Sequence, residues 1–105
     1  ILTLGSCDGA CKEALDRLEK RNLNLNYCRV RAFPFTDAVS EFIDQHDVVY
    51  VVEQNRDAQL RSLLINDIEA DQKKLVSILH YNGMPLNAGS VVDGILAEIA
   101  KGRAA

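Results

Sequence analysis

Residues 48–64 read VVYVVEQNRDAQLRSLL, and the change of pattern inside this stretch decides the fold. Val48 to Val52 form an unbroken apolar run rich in β-branched side chains, the composition of a strand covered on both faces. The polar residues Glu53, Gln54, Asn55, Arg56 and Asp57 follow at once, with the strand expected to end at Gln54. Leu60, Leu63, Leu64 and Ile68 then recur at helical spacing. A doubly covered strand that leads through a short link into an amphipathic helix is half of a βαβ unit. Such units build parallel sheets.

The same alternation recurs along the whole chain. ILTLG, residues 1–5, reads as a strand, followed by a helix from about Gly9 to Arg21 with Asp8 as its cap. Cys11, Ala14, Leu15 and Leu18 share one buried stripe of that helix. A second strand is expected within residues 23–31, where Leu23, Leu25 and Tyr27 alternate with Asn24 and Asn26. Pro34 ends it, and Thr36 caps a helix whose Val39, Phe42, Ile43 and His46 lie together. KLVSILHY, residues 74–81, is the fourth strand and NGMPL, residues 82–86, a turn. Ser90 with Asp93 has the form of a capping box for a last helix that buries Val92, Ile95, Leu96 and Ile99 and ends at Gly102. Strand and helix thus alternate four times over 105 residues. The expectation is one α/β domain over residues 1–105, three-layered α/β/α with a mainly parallel sheet.

Composition narrows the function. The formal net charge is -3, with acids and bases interspersed. Without a basic stripe, nucleic acid and anionic membranes are not expected partners. No apolar run approaches the roughly eighteen residues of a membrane span. Ile1 stands inside an apolar strand without a charged leader, so no signal peptide is read, and the missing initiator Met suggests a piece of a longer polypeptide. Three cysteines, an odd number, do not make a disulfide framework, and a cytoplasmic setting is expected.

The candidate sites are few. GSCDGACKEA, residues 5–14, places a glycine turn before a helix N-terminus, but matches neither dinucleotide nor phosphate-loop spacing. Cys7 and Cys11 do not form C-x-x-C, and no metal set of familiar spacing accompanies them. His46 and His80 read as structural. The polar cluster after the third strand is the best candidate, because doubly wound sheets bind ligands where the strand order reverses. With the order 2-1-3-4, Ser6, Cys7 and Asp8 would face Glu53, Asn55 and Arg56 across that switch point. The alternative is helix capping by Asn55 with an Arg–carboxylate pair, which needs no ligand.

Four segments carry a resemblance: GSCDGACKEAL (5–15), CRVRAFPF (28–35), VYVVEQNRDAQLRSLL (49–64) and LHYNGMPL (79–86). Together they resemble the carboxyl-terminal domain of the alpha subunit of 2-oxoacid:ferredoxin oxidoreductases over essentially the whole chain, the 2-oxoglutarate enzymes and the broader 2-oxoacid group with fused gamma and alpha parts looking nearest. The resemblance implies a transketolase C-terminal-like fold, with an antiparallel strand upstream of Ile1. It implies a parent complex that uses thiamine diphosphate, magnesium, iron–sulfur clusters and CoA to convert a 2-oxoacid to an acyl-CoA and reduce ferredoxin. In the family the thiamine cofactor lies in other domains, so no catalytic, cofactor or metal residue is carried over to this chain. The domain's implied partners are the other alpha-subunit domains and the beta subunit. Phe33 and Phe35 are candidate aromatic anchors for that contact, with Ser6, Asp8, Glu53, Asn55 and Arg56 at the crevice. A free-standing small-molecule-binding domain is the competing expectation.

Overall fold

The computed structural model of the chain describes residues 1–4, 7–30, 35–81 and 86–102. Along it run β1 (Leu2–Leu4), α1 (Asp8–Glu19), β2 (Cys28–Val30), α2 (Asp37–Asp44), β3 (Val49–Glu53), α3 (Gln59–Ile68), β4 (Leu75–Leu79) and α4 (Ala88–Ala100). The strands form one sheet in the order β2-β1-β3-β4, every pairing parallel. Leu2 stands opposite Cys28 on one side and Val51 on the other, and β3 pairs β4 from Val49↔Leu75 to Glu53↔Leu79.

Strand parity sorts the core into two halves. Val49 and Val51 of β3 join Leu2, Val30 and Leu75 beneath Val39 and Ile43 of α2 and Leu60 and Leu64 of α3. Tyr50 and Val52 point the other way and join Ile1, Val76 and Ile78 beneath Cys11, Ala14 and Leu18 of α1 and Ala88, Val91, Val92 and Ile95 of α4. The expected three-layer α/β fold is the one observed. All five residues of β3 are buried, as the apolar run from Val48 implied for a strand with helices on both faces.

Several local expectations need correction. The second strand is only Cys28–Val30. Leu23, Leu25 and Tyr27 do turn alternately inward against the α1–α4 core, but as a connection rather than a strand. The chain enters it through Asn22, left-handed at φ 65, a conformation that the short side chain of Asn tolerates. Leu63 is 41% exposed and not part of the α3 stripe, which buries Leu60 and Leu64. The last helix begins before Ser90. Its N-cap is Asn87, in extended conformation, whose Oδ1 accepts the Ser90 N–H at 2.9 Å, while Asp93 is exposed. Thr36 does hold the N-cap position of α2 but makes no side-chain cap bond there. Gly5, Pro34 and residues 82–85 of the expected turn lie outside the described residues.

Gly94 brings α4 down onto the sheet. A Cβ at this position would lie 2.9 Å from Ile78 Cγ2, whereas one at Gly9, in the first turn of α1, would meet nothing within 4 Å. Exchanging a helical Gly for Ala gains up to about 1 kcal/mol of propensity, and overpacking a core contact costs roughly 1–3 kcal/mol. Gly9→Ala is therefore expected to raise the midpoint of urea unfolding and Gly94→Ala to lower it. A stabilised Gly94→Ala variant would show that α4 does not sit this close to β4.

Candidate functional site

Glu53 has the parity of Val49 and Val51, so its side chain enters the α2–α3 side of the sheet, where the residue is 3% exposed. A carboxylate stripped of water in that position requires hydrogen-bond donors. It receives three. Leu60 N–H donates to Oε1 at 2.6 Å, Arg61 N–H to Oε2 at 3.2 Å, and the Asn55 side-chain amide to Oε1 at 2.9 Å. Two of these donors are first-turn N–H groups of α3, which no intrahelical carbonyl can satisfy.

The helix has no cap of its own. Its N-cap residue is Ala58, without a side-chain oxygen and in the left-handed region at φ 52, ψ 48. That conformation costs a non-glycine residue about 1–2 kcal/mol. Asn55 completes the arrangement, its Oδ1 accepting the N–H groups of Asp57 at 3.1 Å and Gln59 at 3.3 Å. The successive N–H groups of Gln59, Leu60 and Arg61 thus end on two side chains from the strand and its link, and Ser62 N–H to Ala58 O at 3.0 Å begins the helical ladder. The negative carboxylate also lies at the positive end of the α3 dipole. Capping by Asn55 was one of the two readings open in the sequence. The larger part played by Glu53 was missed, although a charged residue at an inward position of a buried strand was the signal for it.

Arg61 extends the attachment. Its Nε donates to Leu75 O and its Nη2 to Gln72 O, both at 3.0 Å, so α3 is tied to the start of β4 as well as to the end of β3. With Leu75, Val76, Ser77 and Glu98 it lines an open cleft of about 280 Å³ along the outer edge of β4.

On the opposite side of the switch point Asp8 is the first residue of α1, with Cys7 in the N-cap position, so the expected Asp8 cap is not formed. The Tyr27 hydroxyl donates to Asp8 Oδ1 at 2.6 Å, Lys12 Nζ lies 3.2 Å from Oδ2 and Arg29 Nε 3.9 Å from Oδ1. The Tyr27 bond, with lesser help from Lys12 and Arg29, holds the Asp8 carboxyl below its ordinary range, while burial and then Asp8 itself push the Tyr27 phenol up. The contacts of Asp8 thus run to Lys12 of α1, Tyr27 just before β2 and Arg29 of β2, and those of Glu53 to α3 and its link. The strand order that was to set Asp8 opposite Glu53, Asn55 and Arg56 is the one observed, with β1 and β3 adjacent.

Arg56 lies on the rim, its side chain 76% exposed and its Nε 3.7 Å from Asp57 Oδ1. Phe35 is half-buried and packs against the α2–α3 core. Ser6 and Phe33 lie outside the described residues. His46 takes a structural place: its Nδ1 is 2.6 Å from Phe42 O and its Nε2 2.7 Å from Asn26 Nδ2, so the ring pins the end of α2 to the connection before β2. Cys7 and Cys11 are buried, Cys28 is half-buried, and none is in a disulfide. Burial pushes the Cys11 thiol up to about 12 and raises that of Cys28. Among the described residues no group of three or more His, Cys, Asp or Glu side chains could hold a metal ion, and no helix is long and apolar enough to cross a membrane. Comparison of the chain with known protein families, curated proteins and solved structures found no match.

This geometry sets the expected outcome of four substitutions. Glu53→Ala strands two first-turn N–H groups without their acceptor and should lose about 3 kcal/mol or more of unfolding free energy. Glu53→Gln, which keeps one acceptor oxygen, should lose less, and equal losses would contradict the two-oxygen cap. Arg56→Ala should change the stability of the isolated chain by less than about 1 kcal/mol, as exposed ion pairs do. A loss of several kcal/mol would make Arg56 a structural residue. Asp8 has a lowered folded pKa, so its contribution is fully present above the ordinary carboxyl value of 3.8 and is lost as pH falls through the folded one. Asp8→Asn should therefore be less stable than the parent chain at neutral pH, with the gap closing on acidification below that value. A gap independent of pH would assign the effect to packing.

Proposed function

We propose that this chain is a noncatalytic assembly domain in the alpha subunit of a cytoplasmic 2-oxoacid:ferredoxin oxidoreductase. The family resemblance of residues 5–15, 28–35, 49–64 and 79–86 supports the parentage, and the α/β architecture agrees with the fold that the resemblance implies. One structural observation carries the noncatalytic part. Among the acceptors at the carboxyl end of β3, both oxygens of Glu53 and the Oδ1 of Asn55 receive N–H groups of the link and the first turn of α3. A cluster so committed holds the scaffold together, while Arg56 and Asp57 remain on its exposed rim, where a neighbouring domain can meet them.

In this reading the parent complex decarboxylates a 2-oxoacid, 2-oxoglutarate in preference, forms the acyl-CoA and passes the electrons to ferredoxin. Thiamine diphosphate, magnesium, the iron–sulfur clusters and CoA are held by the other domains and subunits. No step of that chemistry is assigned to a residue of this chain. The domain's own contribution is a rigid surface for the rest of the alpha subunit and for the beta subunit.

Two measurements test the proposal. Calorimetric titration of the isolated chain with thiamine diphosphate and magnesium should give no saturable heat, and stoichiometric binding at micromolar affinity would overturn the noncatalytic reading. In the full complex, Arg56→Ala should weaken subunit assembly or turnover with 2-oxoglutarate while leaving the fold of the domain intact. Normal assembly and turnover in that variant would remove the rim from the interface.

A further inference from the structure

We draw no further inference here: the strongest candidate, the open cleft along the outer edge of β4 between Arg61 and Glu98, is a sheet edge whose Leu75 carbonyl Arg61 already occupies, and nothing in the structure shows what covers the rest.

Discussion

Where β3 ends, a buried carboxylate meets the N-terminus of a helix that has no cap of its own, and the position of α3 depends on that meeting. Glu53 closes the strand on the inward side, and its two oxygens reach the N–H groups of residues seven and eight positions later. The link between them must therefore fold back tightly, which it does through Asn55 and the left-handed Ala58. Neither partner is comfortable alone. An unpaired carboxylate under α3 would carry its full desolvation cost, and an uncapped first turn would leave N–H groups unmet. Together they fix the direction in which α3 leaves the sheet, and Leu60 and Leu64 then fall onto Leu2, Val49 and Val51.

This arrangement matters because the sheet has little to spare. Among the described residues the sheet has four short strands, and each of its faces depends on two helices. On one side α1 and α4 sit close, with Gly94 against Ile78. On the other, the first turn of α3 is tied to β3 through Glu53 and to β4 through the Arg61 side chain. Folded domains are stable by only about 5–15 kcal/mol, so loss of one such attachment is a large fraction of the whole. Glu53 and Asn55 thus have a mechanical role, holding the first turn of α3 to the end of β3.

The parts of the fold that follow from periodicity were legible in the sequence. The apolar run from Val48 announced a doubly covered strand, and the spacing of Cys11, Ala14 and Leu18 or of Leu60 and Leu64 announced the helices above it. Their parallel arrangement then came from connection rules, whereas the order β2-β1-β3-β4 entered only as a supposition and is supplied by the structure. Less legible was everything decided by a partner distant in sequence. Asp8 looks like a local cap, yet its carboxylate goes to Tyr27, nineteen residues away, because β2 brings that hydroxyl beside the start of α1. Ser90 and Asp93 have the form of a capping box, but Asn87 reaches the Ser90 N–H first and the helix starts earlier. Leu23 to Tyr27 alternate like a strand, and the alternation is real, but only Cys28–Val30 comes into register with β1. Leu63 sits at an apolar spacing and is still 41% exposed, while Leu60 and Leu64 carry the buried face of α3.

Amide hydrogen exchange on the isolated chain tests the central claim most directly. First-turn N–H groups of a helix ordinarily exchange fast, because no carbonyl of the same helix covers them. If Glu53 anchors α3, the amides of Leu60 and Arg61 should exchange as slowly as those of Val51 and Val52 in β3, opening only when the sheet does. Exchange of Leu60 and Arg61 at the rate of a frayed helix end, with β3 still protected, would contradict the account.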